Sequence, residues 1–285
     1  MREVSLIVST LGERNDDLRA LLVSLVSQAA HIHEVIIVDQ HHNPEYLVPL
    51  LLEFSDRLPI RHARSKRGLS RARNEGLALA SGSLIAFPDD DCTYPEGLIE
   101  WVVNWFETNS DYDVLAVGAN DASGVRSGNR WPQDVCDLKP VNVFRTTFSP
   151  SLFVRRDAAK AQEFDVRLGV GSGTRYGSGE ETDYILRILL TGARGRFDRF
   201  RHIIHPRRDM LSGGSSAPRA ESYGFGMGHI LRTHALRGLW AAFLIYDVAR
   251  AGAAFCRGQI DGCSLCIAHG KGLWYGYQAP LEPAT

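Results

Sequence analysis

Net charge is the first thing this chain lacks: 32 lysines and arginines stand against 33 aspartates and glutamates, leaving -1 at neutral pH. Proteins that grip nucleic acid through its phosphates carry a basic excess, so the balance argues against a general nucleic-acid partner. Cysteine is scarce as well. Cys92, Cys136, Cys256, Cys263 and Cys266 form an odd, sparse set with no leader-like segment ahead of them. That usage fits a reducing, cytosolic setting in which thiols stay free. The Cys263-x-x-Cys266 pair would need a second pair to close a zinc site, and the sequence has none. No segment reads as a clean membrane span: the most apolar stretch, Leu236 to Cys256, is broken by Arg237, Asp247 and Arg250, which are costly inside a bilayer. It can still lie on a membrane. There is no internal repeat and no long low-complexity region.

What is present is an alternation. Val4 to Thr10 is a short β-branched run ending in polar residues, as expected of a parallel strand. Asn15 can cap a following helix whose Leu18, Leu21, Leu22, Leu25 and Val26 make one apolar face. Glu34 to Val38, ending at Asp39, is the next strand. The pattern continues with a helix over 45–54, a strand near 58–62, a helix over about 70–80 and the strand 84–88. Pro95 starts another helix, 114–117 is a strand, 120–140 a surface excursion and 151–154 a return to the sheet. A Gly/Ser-rich loop over 169–179 precedes a helix carrying Ile185, Leu186, Ile188 and Leu189. Such alternation implies an α/β domain with a mainly parallel sheet and helices on both faces, whose ligands sit at the carboxyl ends of the strands.

Thr10, Asp39 and Asp89 all fall at those ends. Asp89, Asp90 and Asp91 are three consecutive carboxylates closing the apolar run Leu84 to Pro88. Like charges side by side repel unless a cation or hydrogen-bond donors compensate them, and hard divalent cations take such oxygen ligands. In extended backbone Asp89 and Asp91 point to one side and Asp90 turns away. A solvated turn is the competing explanation. A second acidic group, Glu180, Glu181 and Asp183, opens the late helix, where the helix dipole favours carboxylates on structural grounds alone and also keeps a base ionised. Basic residues crowd two stretches: Arg61, Arg64, Lys66, Arg67, Arg71 and Arg73, and again Arg194, Arg196, Arg199, Arg201, Arg207 and Arg208. Both are solvated faces unless one lies near the acids.

The segment Gly68-Leu69-Ser70-Arg71-Ala72-Arg73-Asn74-Glu75-Gly76, with Ala80 and Gly82, puts Gly76 where a helix can approach the sheet closely and Arg73 where it can point toward the strand ends. These motifs, in the order Val4 to Thr10 with Arg14, Val35 to Asp39, Gly68 to Gly76, Phe87 to Asp91 and Gly179 to Asp183, resemble glycosyltransferase family 2 over roughly residues 1–210. The resemblance implies a GT-A fold of Rossmann-like type and an inverting transferase. The nucleotide-sugar side would lie in about 1–120 and the acceptor side in about 120–210. By the same resemblance Thr10, Arg14, Asp39 and Arg73 border the nucleotide. Asp89 and Asp91 match the family's Asp-x-Asp motif: Asp91 on the metal, Asp89 on the ribose or a metal-bound water, and Asp90 intervening. Glu181 takes the place of the catalytic base, with Glu in place of the family's Asp, so that Glu180 stays a competitor. His205 resembles a late histidine that approaches the metal or diphosphate in some relatives, against the alternative of an ordinary interior or surface histidine.

The reaction so implied moves a sugar from a nucleoside-diphosphate sugar, UDP by preference, to a hydroxyl of a glycan or lipid-linked acceptor, with magnesium or manganese as cofactor. Residues 211–285 form a helical extension after a Ser212 to Ser216 hinge. It packs on the core, rests on the inner face of a membrane with Arg232, Arg237 and Arg250 near headgroups, or serves a homodimer. Two rivals remain: a sugar nucleotidyltransferase, for which Thr10 to Arg14 is a poor phosphate loop, and a catalytically silent glycan-binding or scaffold subunit, against which the intact acids at both sites argue.

Overall fold

A computed structural model of the chain describes residues 3–127, 131–207 and 216–280. The chain begins with β1 (Val4–Thr10), α1 (Asn15–Val26), β2 (Ile32–Asp39), the short α2 (Val48–Leu52), β3 (Ile60–Arg64), α3 (Leu69–Leu79) and β4 (Leu84–Ala86). It continues through α4 (Leu98–Thr108), β5 (Val114–Asn120), β6 (Cys136–Asp137), α5 (Val143–Thr146), β7 (Leu152–Arg155), α6 (Arg156–Lys160), α7 (Glu180–Leu190) and β8 (Gly195–Ile204). Three helices follow: α8 (Ala217–Thr233), α9 (Arg237–Cys256) and α10 (Ile260–Gln278).

The sheet runs in the order β3-β2-β1-β4-β7-β5-β8-β6. The pairings β1·β2, β1·β4, β2·β3 and β5·β8 are parallel, whereas β7 lies antiparallel between β4 and β5, and the two-residue β6 lies antiparallel on β8. The mainly parallel α/β sheet expected from the alternation is therefore present, with one reversed strand inserted near its middle. Val4, Leu6, Ile7, Val8 and Val35 to Val38 are fully buried, as the central strands of a sheet covered on both faces must be. Gly76 explains how closely α3 covers that sheet: a methyl group built on it would lie 2.2 Å from Ile7 Cγ2.

Local expectations changed in three places. Asn15 is the first residue of α1 rather than its cap, no side chain caps that helix, and the buried Asn15 Oδ1 finds no hydrogen-bond partner. Pro95 lies in a turn, and Gly97 at φ 76° starts α4 at Leu98. The Asp triplet leaves the strand after Asp89: Asp90 and Asp91 form a turn, closed by Cys92 N–H donating to Asp89 O at 3.2 Å.

The chain divides into two compact units, Met1–Phe164 with Tyr184–Arg207, and Asp165–Asp183 with Arg208–Thr285. The second thus takes in 165–183, which the sequence reading keeps inside the domain 1–210. The expected hinge, Ser212 to Ser216, lies outside the described residues except for Ser216, whose Oγ accepts from Arg219 N–H at 3.4 Å at the start of α8. Within the second unit α8 and α10 meet through glycines. A Cβ on Gly224 would lie 2.1 Å from His269 O, one on Gly228 2.3 Å from Leu273 O, and one on Gly272 2.0 Å from Glu221 O. Contacts that close exist only between backbones.

By length and composition α9 is the one described helix that qualifies as a membrane span, and it is largely uncovered. Asp247, which interrupts the run in the sequence, is buried and accepts from His269 Nδ1 at 2.6 Å. The outward surface carries Ile245, Val248 and Phe255, all exposed.

Candidate active site

The carboxyl ends of β1, β2 and β4 bring the acidic turn to Thr10. Ser9 and Asp89 form a parallel bridge that carries β4's pairing with β1 past Pro88. From the other side Thr93 and Ile204 exchange both backbone hydrogen bonds, at 2.8 and 2.9 Å, and His205 N–H donates to Asn120 O at 2.8 Å. Those three bonds place His205 over the turn. Its Nε2 lies 3.3 Å from Asp91 Oδ1 and 3.9 Å from Asp89 Oδ2.

The proton on that imidazole can be assigned from its other nitrogen. Nδ1 lies 2.8 Å from Pro206 O, which can only accept, so Nδ1 carries the hydrogen. In the neutral ring Nε2 is then a bare acceptor facing two carboxylates that also only accept. Something positive must sit between them: a proton, or a metal ion. Burial pulls the His205 pKa down, but the hydrogen bond to Asp91 and the charges of Asp91 and Asp89 outweigh it and raise it above the ordinary value. One ligand atom from each of Asp89, Asp91 and His205 lies within 4.8 Å of the others, and the Nδ1 tether to a backbone carbonyl is the usual way a metal-binding histidine is oriented. The donor set, two carboxylates and one imidazole, suits a divalent cation such as manganese or magnesium. Among the described residues it is the one such cluster, and no cysteine joins it; all five thiols are free.

Asp90 turns to the opposite side. Thr10 Oγ1 donates to its Oδ2 at 2.7 Å, and Arg14 Nη1 spans Asp90 Oδ1 at 3.1 Å and Asp91 Oδ2 at 2.7 Å. Burial pushes the Asp90 carboxyl up to about 6, with a further push from Asp91 and Asp89; Thr10 and Arg14 only partly restrain it. Arg73, from the α3 residue expected to reach the strand ends, is buried and lies 3.2 Å from Asp89 Oδ1. Its guanidinium sits 5.5 Å over Phe164, which stacks on Tyr184 at 4.1 Å, so aromatic packing fixes the arginine's aim.

Asp39 is beside Thr10 in register but is engaged elsewhere. It is fully buried, and its carboxylate takes His41 N–H at 2.7 Å, Arg64 Nη1 at 2.5 Å and His62 Nε2 at 3.1 Å. Arg64, His62 and His41, whose ring stacks on Tyr46 at 4.1 Å, are partners of Asp39 that the sequence does not assign to it. A charge cluster was the available signal for Arg64. Two members of the second basic cluster are spent locally: Arg194 pairs with Asp111, and Arg196 with Asp137 at 2.8 Å. Arg208 lies outside the described residues. Buried Gln28 is a second omission. Its Nε2 donates to Tyr94 O at 3.1 Å and its Oε1 accepts Ile99 N–H at 2.9 Å, tying the segment after the acids to α1. A cleft of about 550 Å³ opens beside Asp91, lined by Asp17, Thr93, Asp121, Ser123, Ile204 and Pro206.

Glu180 and Glu181 belong to the second unit, at the start of α7. Glu180 is buried: a methyl group on Gly169, which has φ 93°, would lie 2.9 Å from Glu180 Oε2. Glu181 is half-exposed. Asp183, also buried, accepts from His234 Nε2 at 2.8 Å.

Comparison with known proteins adds three findings. The model of the family described as "Glycosyl transferase family 2" matches residues 5–178. The minor teichoic acid biosynthesis protein GgaB of Bacillus subtilis (strain 168) is 27% identical over 192 residues, covering 60% of this chain and 21% of that protein; the chain thus spans about a fifth of that relative's length. Among solved structures, S. aureus TarS 1-349 in complex with UDP-GlcNAc aligns with a TM-score of 0.62 at 18% identity, over 80% of this chain and 65% of that one. TarS 1-349 alone gives 0.61 at 14%, over 95% and 92%. At those identities the likeness is one of fold, and that fold is the GT-A arrangement of sheet and helices anticipated from the motifs.

Proposed function

The chain belongs to glycosyl transferase family 2, and from that premise we propose that it transfers a sugar from a UDP-sugar to an acceptor hydroxyl with inversion, in the synthesis of a cell-wall polymer of teichoic-acid type. The observation that carries this reading is the pair of carboxylates, Asp89 and Asp91, facing Nε2 of His205 at the strand ends. These three residues would hold a divalent cation, manganese or magnesium, and when bound it supplies positive charge for the departing diphosphate. Arg14 and Thr10, held by Asp90, border the nucleotide, and Arg73 keeps Asp89 oriented. Glu181 removes the acceptor proton as the acceptor oxygen attacks the anomeric carbon opposite the diphosphate. Its partial exposure favours it over Glu180, whose carboxylate is packed under Gly169.

UDP-GlcNAc is the donor of first choice because a fold relative was crystallised with it, and the polymer class follows from the name of the B. subtilis relative. The test is a thermal-shift screen of nucleotide sugars with and without manganese, followed by UDP release from the donor that shifts most. Stabilisation by a UDP-sugar that needs manganese is expected. No shift with any nucleotide sugar would sink the proposal, and a shift by nucleoside triphosphates instead would favour a nucleotidyltransferase.

A second reading concerns location. The exposed apolar surface of α9, with Arg237 at its start and Arg257 just past its end, supports a peripheral seat on the cytoplasmic face of a membrane, where arginines meet anionic headgroups. Flotation with anionic liposomes at low salt tests it. Recovery at the bottom of the gradient as a dimer would assign that surface to a second copy.

A further inference from the structure

The five residues 175–179, leading into the base-bearing turn, do not hang free. Within the second unit they run along one face of α8. Ser222 Oγ donates to Arg175 O at 2.9 Å, and Gly177 N–H donates to Ser222 O at 3.2 Å. Tyr176 packs its ring 4.5 Å from that of His229. Ser178 Oγ donates to Tyr223 O at 3.0 Å. A Cβ on Gly226 would lie 2.3 Å from Ser178 O, and one on Gly179 2.3 Å from Ile230 Cδ1. The α8 positions 222, 226, 229 and 230 recur at three- and four-residue spacing, the period of one helix face, and His234 caps the helix just past its end. At the far end of that face His234 Nε2 meets Asp183 Oδ1 at 2.8 Å, each side chain only 7% exposed.

We propose that His234 is a positioning residue for sugar transfer: through Asp183 it fixes the first turn of α7, and with it the direction of Glu181. This rests on the reading of Glu181 as the base. The chemistry is simple. An ionised carboxylate only accepts, so His234 Nε2 carries the hydrogen in this contact. A buried carboxylate stays in place when a donor of fixed position holds it. Asp183 is two residues beyond Glu181 in the same turn and begins the helix's own ladder by donating its N–H to Gly179 O at 2.9 Å. Anchoring Asp183 at one end and Gly179 at the other leaves the intervening Glu180, Glu181 and Thr182 little freedom. The C-terminal helices thereby serve the chemistry, and not only attachment to a surface or a second copy. A base displaced by about 1 Å costs on the order of a hundredfold in rate.

The experiment compares His234→Ala, His234→Gln and Glu181→Gln with the parent chain, using UDP-GlcNAc and manganese and reading UDP release. Hydrogen exchange of the amides over 176–186 is read in parallel, because it needs no turnover. His234→Ala should lower kcat by roughly 10- to 100-fold with the donor KM within about twofold. It should also speed exchange over 180–184 by about tenfold or more. His234→Gln, whose amide can still donate to Asp183, should restore most of both. If His234→Ala keeps the parent's exchange over 180–184, the inference fails whether or not UDP-GlcNAc is the donor. If exchange rises but kcat and KM stay as in the parent, the contact is structural only and the inference fails again. Glu181→Gln separates the two levels: full turnover there overturns the base assignment itself, whereas lost turnover there with an unaffected His234→Ala overturns only the positioning role.

Discussion

Two glycine-to-alanine changes in the same three-helix unit should move stability in opposite directions. Gly272 lies inside α10, where a Cβ would stand 2.0 Å from Glu221 O and 2.8 Å from Glu221 C, both backbone atoms of α8. Ordinary carbon–oxygen contact begins near 3.4 Å, so the helices must part by on the order of 1 Å, which forfeits a quarter to a half of each dispersion contact across the seam. That seam holds Leu273, fully buried, with Ala220, Leu265 and Ala268 each under a tenth exposed. Overpacking of this kind costs about 1–3 kcal/mol. The upper end applies because backbone cannot rotate out of the way. Against it stands about 1 kcal/mol of helix propensity gained on replacing glycine. The net loss is therefore about 2 kcal/mol, a fall in melting temperature of roughly 4–8 °C for a chain of this size. Gly252, in α9, has nothing within 4 Å of its built Cβ, so the same change there should gain about 0.5–1 kcal/mol. Thermal and urea unfolding followed by circular dichroism measure both. If Gly272→Ala melts at or above the parent, the close α8–α10 seam is not what holds this unit together.

Further outcomes follow from the first unit. Asp91→Asn and His205→Ala should each abolish the part of UDP stabilisation that depends on manganese while leaving the ligand-free melting temperature within a few degrees; an undiminished manganese-dependent shift in either would dissociate that residue from the cation. Glu34 accepts from Ser81 N–H and Ser81 Oγ at 2.7 Å and from Ser5 Oγ at 2.9 Å. Burial raises its pKa, but those bonds and His33 outweigh it, so the folded value lies below the ordinary one. Its stabilisation is complete above the unfolded value and is lost as pH falls through the folded value. Glu34→Gln should then show a shallower acid limb below about pH 5 in urea unfolding, and an unchanged limb would contradict the assignment. Gly76→Ala should destabilise by about 1–3 kcal/mol through its clash with Ile7; adding Ile7→Ala should recover part of that loss, and strictly additive losses would mean the two sites do not touch.

The strands, their carboxyl-end acids and the α3 glycine were legible because periodicity and short motifs are local properties. Val4 to Thr10 and Ile32–Asp39 could hardly be anything but buried strands. What stayed hidden was made by long-range pairing. No local pattern says that Thr93 will bridge to Ile204 and so deliver His205 to Asp91, or that Arg64 and His62 will close on Asp39. The triplet's division into Asp89 with Asp91 on one side and Asp90 on the other emerged from the i, i+2 argument, although a turn achieves it rather than a strand. Composition marks the domain border at the Gly/Ser run 212–216. Composition cannot reveal that 165–183 joins the C-terminal helices, since that depends on glycines fitting one helix face.

The reversed strand β7 has a consequence for how the molecule can vary. Because β5 and β7 run in opposite directions as direct neighbours, the chain leaves β5 after Asn120 and re-enters β7 at Leu152 on the same rim, the one that carries the acids. A parallel strand there would have required a return crossover and locked the length of the connection. As built, 121–151 begins and ends on the rim that carries the acids, and the described strand it contains, β6, is the edge of the sheet, so the segment can change without rethreading the inner strands. Changes confined to that segment leave the order of β1 to β5 and the acids at their carboxyl ends untouched.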